Sequence, residues 1–405
     1  MNKQILEGSR AIALTIKNIR PAVISAYPIT PQTHIVEDLA KFKANGQADY
    51  EYVLAESEFA SASIVLGASA TGVRVYSSTS SQGLLLMAEV IYNIAGMRLP
   101  VVMTCANRAV SAPINIWCDQ QDIMTIRDAG WILLFAENHQ EAVNQHIMAY
   151  KLAEQLKLPV MVNVDGFILT HSYESVNIPD TKLIKKYLPD YKPTIGQYLD
   201  TKNPITLGAL VTPTHYMEIR QELHNDLIAS LEIINKEYKN FNKIFNNKIQ
   251  NTKYKIQNNN GLLEYFGPNN PDIIIIAMGS VVGTIKDTID NFPPDKAHLS
   301  FPPDKGGQRG VGVLKIKCYR PFPEKEILDI LKSAKYIAVL DKSISLGHIG
   351  CLASDVKAVC QGKIKAKIQS FIVGLGGRDI TCTMIKKIII EARKKNNRTK
   401  FIGKI

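Results

Sequence analysis

Two successive α/β blocks, each built on a doubly wound and mostly parallel sheet, are what this 405-residue sequence predicts. Three observations carry that reading. Short β-branched runs alternate with longer helical patterns from residue 22 onward. The runs are almost continuously apolar, as strands covered on both faces must be. A polar stretch rich in asparagine and lysine, 246–260, divides the series in two.

In the first block, strands are expected over 22–26, 51–55, 73–77, 101–105, 131–135 and 160–164, with helices over 31–44, 58–70, 83–96 and 140–155. Pro31 suits the first turn of its helix, where no amide donor is needed. Residues 172–215 hold many prolines and turn formers and read as an irregular extension, and helical periodicity resumes over 217–245. In the second block, strands are expected over 272–278, 311–317, 337–340 and 366–373. Helices over 281–291, 324–333 and 352–359 and a closing helix lie between and after them. The expected division is a first domain over 1–245, a linker over 246–268 and a second domain over 269–395. A doubled Phe-Pro-Pro-Asp-Lys, at 292–296 and 301–305, reads as a surface insertion, because such connections usually need only ~2–6 residues.

Composition excludes several classes. Hydrophobic residues make up 46% and charged residues 21%, enough apolar mass for ordinary cores. No apolar run approaches the ~20 residues of a membrane span, and the first residues lead into a helical pattern rather than a signal peptide. A soluble cytoplasmic protein is expected. Six cysteines, at 105, 118, 318, 351, 360 and 382, include no C-x-x-C pair, so an iron–sulfur or zinc centre on this chain is not expected. Asp119 and Asp122 stand three apart, but no Gly-Asp-Gly with a downstream asparagine follows, and the eight histidines show no helical pairing. No metal site is expected. The net charge of +11 is spread along the chain without aromatic interleaving, which gives no reason to expect a nucleic-acid partner.

The residues that can do chemistry fall where parallel strands should end, the edge at which open α/β sheets bind ligands. Tyr27-Pro28-Ile29-Thr30 follows the first strand of this block, and Glu56-Ser57-Glu58 opens a helix of small residues. Arg108 stands three residues past an apolar strand. A hydroxyl, a carboxylate and a guanidinium brought together suit a small carboxylate substrate beside a nitrogen-heterocycle cofactor. Taken singly, each has a plainer explanation: Glu58 and Thr30 as helix caps, Arg108 as half of a salt bridge. Glu56 should point away from Glu58, since residues two apart share no helix face. Thr79-Ser80-Ser81-Gln82-Gly83 offers amides and hydroxyls to an anion or simply caps a helix. Gly374-Leu375-Gly376-Gly377-Arg378-Asp379 lacks the third glycine and the βαβ setting of a dinucleotide loop, and reads as a tight turn or a subunit contact.

These motifs, in order, resemble the alpha subunit of multi-subunit 2-oxoacid:ferredoxin oxidoreductases, the pyruvate:ferredoxin oxidoreductase group in particular. The segments are A-Y-P-I-T-P, E-S-E-F-A-S-A, T-S-S-Q-G-L-L-L-M, N-R-A-V-S-A-P-I-N-I-W, R-D-A-G-W, D-G-F-I-L-T-H, T-P-T-H-Y-M-E, Y-R-P-F-P, D-K-S-I-S-L-G and G-L-G-G-R-D. Phe59 departs from the pattern, standing where the family has a histidine. The resemblance implies a first domain that binds the pyrimidine end of thiamine diphosphate and a second domain similar to the transketolase C-terminal domain. It implies that Glu58 partners the pyrimidine N1′, that Tyr27, Pro28 and Ile29 line the cofactor, and that Thr30 and Arg108 hold the substrate carboxylate. It further implies Mg2+ and [4Fe-4S] clusters on partner subunits of beta, gamma and delta type, with ferredoxin or flavodoxin as electron acceptor. The expected reaction is coenzyme A-dependent oxidative decarboxylation of pyruvate to acetyl-CoA and carbon dioxide. The same chemistry on 2-oxoisovalerate or 2-oxoglutarate, or a non-catalytic docking role, is the alternative.

Overall fold

The computed structural model describes residues 3–245, 256–291, 310–394 and 398–403. The core of the expected linker, 246–255, and both Phe-Pro-Pro-Asp-Lys copies lie outside the described residues.

The chain opens with β1 (Gln4–Glu7), where the sequence was read as leading straight into a helix, and continues through α1 (Gly8–Ile19) to β2 (Val23–Ala26). Then come α2 (Thr33–Ala44), β3 (Glu51–Leu54), α3 (Glu58–Ala70) and β4 (Val75–Thr79). Helix α2 starts two residues later than expected because Tyr27–Gln32 closes into its own turn. Buried Gln32 holds it, its amide on the Ile29 carbonyl at 2.9 Å and its Nε2 on the Tyr27 carbonyl at 2.8 Å. The helix expected over 83–96 is two, α4 (Ser81–Leu86) and α5 (Ala88–Gly96), kinked at Met87 while the hydrogen bonds run on across the kink.

Next are β5 (Val102–Asn107), α6 (Gln121–Thr125), β6 (Ile132–Phe135), α7 (His139–Leu156) and β7 (Val160–Asp165). Within the stretch read as irregular, the structure has β8 (Tyr173–Val176) and α8 (Thr181–Tyr187). Pairing with β1 orders β8, and the Asp180 side chain caps α8 by accepting from Leu183 N at 2.8 Å. The helix predicted from 217 begins earlier, as α9 (Pro213–Phe245), and its far end buries Phe241 and Phe245 against Tyr187. Proline at a first helical position costs no hydrogen bond.

Strands β6-β7-β5-β4-β2-β3 form one parallel sheet in that order. From β2 the chain runs outward to edge strand β3 and then returns to β4 on the other side of β2. That reversal is a topological switch point, and a crevice opens at the carboxyl ends there.

The second block adds β9 (Ile256–Gln257), β10 (Leu263–Phe266), β11 (Ile273–Ala277), α10 (Val281–Asp290), β12 (Val311–Ile316) and β13 (Cys318–Arg320). It ends with α11 (Glu324–Leu331), β14 (Tyr336–Asp341), α12 (Cys351–Cys360), β15 (Lys367–Ile372), α13 (Cys382–Ala392) and β16 (Lys400–Phe401). Its sheet runs β16-β15-β14-β11-β12-β10-β9, parallel from β16 to β12 and antiparallel at β10 and β9.

The expected boundaries 1–245, 246–268 and 269–395 are blurred in two places. Strand β10, inside the expected linker, is fully buried in the second sheet, because Leu263, Tyr265 and Phe266 supply apolar area that the preceding asparagines lack. Strand β13 leaves the second sheet and pairs antiparallel with β6 in the first. One continuous apolar core accordingly includes Leu134 and Phe135 of the first block with Ile316 and Tyr319 of the second.

A buried charge cluster also crosses the boundary. Glu137, just after β6, meets Lys286 of α10 at 2.8 Å and Lys315 of β12 at 2.7 Å. Glu264 and Glu141 complete the set at 2.7 and 2.8 Å. Burial opposes ionisation of Glu137, yet the two lysines overcome it and hold its carboxyl at about 2 instead of the ordinary 4.5. A folded-state pKa below the unfolded one stabilises the fold above about pH 4.5, and that contribution is lost as pH falls toward 2. Glu137→Gln, which leaves buried Lys315 and half-buried Lys286 short of a partner, should destabilise the protein by ~3–5 kcal/mol at neutral pH. Thermal melting followed against pH should show the gap to wild type closing below pH 4.

Candidate active half-site

Glu58 is set by the start of α3. Ser57, with extended backbone, is the cap: its Oγ accepts from Ala60 N at 3.1 Å. Glu58 therefore has no capping work, and Glu56 is exposed and turned away, as the spacing predicted. Glu58 itself is only 7% exposed, and its carboxylate makes no hydrogen bond or ion pair to another described residue. It lies over Gly83 in the first turns of α4, beside the Thr79 hydroxyl, which is itself buried without a partner. A Cβ at Gly83 would stand 2.6 Å from both Glu58 Oε1 and Thr79 Oγ1, so only glycine leaves room for this pair. The protein keeps this carboxylate, without a donor among the described residues, at the switch point of the sheet.

Arg108 begins the loop after β5. Its Nη1 donates to the Thr30 carbonyl at 2.9 Å and its Nε to the Asn115 carbonyl at 3.0 Å. No carboxylate of a described residue lies within 4 Å of the guanidinium, so the salt-bridge explanation does not hold. Burial lowers its pKa, while Asp122 pulls the other way. The structure thus brings Arg108 and Thr30 into direct contact. The exposed Thr30 turn is pinned to β4 through Gln32, whose Oε1 accepts from Ser78 Oγ at 3.3 Å. Tyr27 and Pro28 are exposed on the same turn, and Ile29 is half-buried.

Strands β3, β2, β4 and β5 are consecutive in the sheet, so the segments that carry Glu58 and Arg108 leave carboxyl ends three strand spacings apart, ~14 Å. The Glu58 carboxylate spans most of that separation by lying over Gly83, just past β4, the immediate neighbour of β5. The two side chains form no contact with each other. Two surface clefts, of about 450 and 500 Å³, border neither Glu58 nor Arg108.

The residue that sequence reasoning undervalued is Asp122. Its Oδ2 accepts from Ser81 N at 3.0 Å and Arg108 N at 2.9 Å; its Oδ1 accepts from Asn107 Nδ2 at 3.1 Å and Ile123 N at 2.8 Å. One carboxylate therefore ties the turn beneath Glu58 to the turn that carries Arg108. Burial raises its pKa to about 6 against the pull of those donors. The Thr79–Gly83 loop spends part of what it could offer an anion on the protein itself. Ser81 N is spent on Asp122, and Ser80 and Ser81 hydroxyls donate to the Ala106 and Ala109 carbonyls. The glycine turn at 374–379 is an intramolecular brace: Gly376 N donates to Asp119 at 3.1 Å and Gly377 N to the Cys118 carbonyl at 2.7 Å. Asn115 Nδ2 in turn donates to the Gly376 carbonyl at 3.1 Å, steadying the loop on which Arg108 rests.

An α/β protein with a buried carboxylate free of protein partners and an anchored, unpaired guanidinium at one switch point has the chemistry of a candidate half-site for a carboxylate substrate and a heterocyclic cofactor. Residues 15–240 match the family model "pyruvate flavodoxin/ferredoxin oxidoreductase, thiamine diphosphate-binding", and residues 271–385 match "pyruvate:ferredoxin oxidoreductase core domain II". The chain belongs to the pyruvate flavodoxin/ferredoxin oxidoreductase family. It is 43% identical to the pyruvate synthase subunit PorA of Methanocaldococcus jannaschii over 99% of its own length and 97% of that relative. It is 39% identical to the ketoisovalerate oxidoreductase subunit VorA of Pyrococcus horikoshii, over 97% and 94%. A solved 2-oxoglutarate:ferredoxin oxidoreductase from Magnetococcus marinus shares the fold with a TM-score of 0.69 at 18% identity, covering 97% of this chain and 66% of that one.

Two substitutions probe the geometry. Gly83→Ala should leave the fold intact but push Glu58 aside, lowering kcat of the assembled enzyme at least tenfold. Asp122→Asn keeps the shape but presents an amide to the donors on one of its two oxygens, which at ~1–3 kcal/mol predicts a tenfold to hundredfold loss in kcat/KM. Steady-state kinetics beside a melting curve check both.

Proposed function

We propose that this chain is the pyrimidine- and carboxylate-binding subunit of a pyruvate:ferredoxin oxidoreductase, which converts pyruvate and coenzyme A to acetyl-CoA and carbon dioxide and passes electrons to ferredoxin or flavodoxin. The observation that carries the reading is the buried, donor-less Glu58 carboxylate on the same strand-end crevice as the Thr30–Arg108 pair. Thiamine diphosphate, when bound, supplies the carbon nucleophile and electron sink that decarboxylation needs. Glu58 would hold the proton at the pyrimidine N1′, with water kept out by burial, where a carboxylate acts most strongly. Arg108, with two of its donors already fixed on carbonyls, would grip the substrate carboxylate in a set orientation, and the Thr30 hydroxyl would add a second donor. Orientation of this kind can contribute ~7–11 kcal/mol to a barrier.

Apolar side chains stand uncovered around this crevice: Leu54 is 66% exposed, Trp117 51%, Ile114 86% and Leu346 87%. They support a partner chain seated on this edge, bringing the diphosphate and Mg2+ site, with further beta, gamma and delta-type subunits carrying the [4Fe-4S] clusters. Six free thiols and the absence, among the described residues, of a helix long and apolar enough to cross a membrane fit work in the cytoplasm. Pyruvate is favoured over 2-oxoisovalerate because the PorA relatives reach 43% identity against 39% for VorA.

In the reconstituted complex, Glu58→Gln should abolish turnover without preventing assembly. Arg108→Ala should raise KM for pyruvate and cut kcat/KM ~100-fold, as expected for loss of a charge-assisted contact of ~3 kcal/mol. Wild-type rates in both variants would end the assignment, and faster turnover of 2-oxoisovalerate than of pyruvate would move the chain to that specificity.

A further inference from the structure

Apart from Glu58, Thr30 and Arg108, the described residues bring one further set of ligating side chains together. Glu7 closes β1, His34 lies in the first turn of α2, and His171 sits in the turn between β7 and β8. One ligand atom from each lies within 4.8 Å of the other two. His34 Nδ1 stands 2.6 Å from Glu7 Oε1, and the His34 and His171 ring centroids are 4.6 Å apart. Three segments remote in sequence converge here, and a simple histidine–glutamate pair has no use for the third.

The surroundings favour ligation over a charged pair. Thr170 Oγ1 receives Phe167 N at 2.8 Å and stands 2.7 Å from His171 Nδ1, the kind of contact that ligating histidines carry on their second nitrogen. His34 keeps 47% of its side chain in solvent, which gives an ion a way in and leaves coordination positions for water.

We propose that Glu7, His34 and His171 form a binding site for one divalent transition-metal ion of the zinc class, with water completing its coordination. Two imidazoles and one carboxylate suit Zn2+, Co2+ and Ni2+, whereas Mg2+ and Ca2+ ask for shells of oxygen. A tetrahedral ion with ligands at ~2.0–2.1 Å needs its donor atoms ~3.3 Å apart. The Glu7–His34 contact must therefore open slightly and His171 close in, movements within reach of partly exposed side chains. The ion would staple β1 to α2 and to the turn after β7. That turn packs against the Thr30 segment, since a Cβ on Gly166 would stand 2.6 Å from Pro31 Cγ.

The test uses the full-length, untagged chain stripped of metal and titrated with Co2+ and then Zn2+, read by calorimetry and by the visible spectrum of bound cobalt. Because it measures metal rather than turnover, its outcome is independent of the enzymatic reading. The expected result is one ion per chain, displacement of Co2+ by Zn2+ but not by excess Mg2+, and a cobalt spectrum without the thiolate charge-transfer band that the cysteines would give. His34→Ala, Glu7→Gln and His171→Ala should each weaken binding at least tenfold and remove the rise in melting temperature that Zn2+ gives the wild type. Should His171→Ala fail to fold, the partly exposed His34→Ala and Glu7→Gln decide. Unchanged stoichiometry and affinity in those variants, no saturable binding, or a thiolate band would overturn the proposal.

Discussion

A single buried carboxylate, Asp122, fixes the working edge of this protein. Five donors from three segments converge on its two oxygens, the Cys105 thiol at 3.5 Å among them, and the backbone they lock includes Ser81 at φ 47°, a left-handed conformation that a serine holds only when its surroundings impose it. From Ser81 the chain enters the turn whose Gly83 supports Glu58; from Arg108 it enters the loop that reaches Thr30. The acid end and the cationic end of the half-site are thus held in register by one group that touches neither ligand position.

The same logic operates one step further back, between the two sheets. Asp165 ends β7 and is fully buried; its Oδ2 meets Lys342, just after β14, at 3.0 Å and accepts from Ser280 N, just after β11, at 2.8 Å. Burial alone would raise the Asp165 pKa, but Lys342 and Ser280 overcome it and lower it. Strands β11 and β14 flank the switch point of the second sheet, so the carboxyl edges of both sheets are joined through one ion pair. Lys342 also donates to Cys118 Sγ at 3.0 Å, and Gln120 N to the Lys342 carbonyl at 2.8 Å, which anchors the far end of the loop carrying Arg108. The second domain therefore braces the loop that carries Arg108.

A formal charge of +11 gives a misleading picture of such an interior. Buried Lys315 and half-buried Lys286 are matched by three glutamates and buried Lys342 by Asp165, while buried Lys317 is held by neutral oxygens, donating to Asn259 Oδ1 at 3.1 Å and to the Asn260 carbonyl at 2.6 Å. The excess of positive charge is a property of the surface, while the inner charges align elements that apolar contact alone would leave free to slide.

The sequence by itself determined the α/β alternation, the two-block order, and the placement of Thr30, Glu58 and Arg108 at carboxyl ends of strands. Those features rest on local periodicity and on strand–helix order, which one chain reads out directly. It did not reveal that Ser57 relieves Glu58 of capping, that β10 and β13 knit the blocks together, or that Asp122 links two turns. Nor did spacing show Glu7, His34 and His171 meeting. Each of these depends on which strand lies beside which, and that is settled by the summed burial of both sheets and by pairing buried donors with acceptors across segments far apart in the chain.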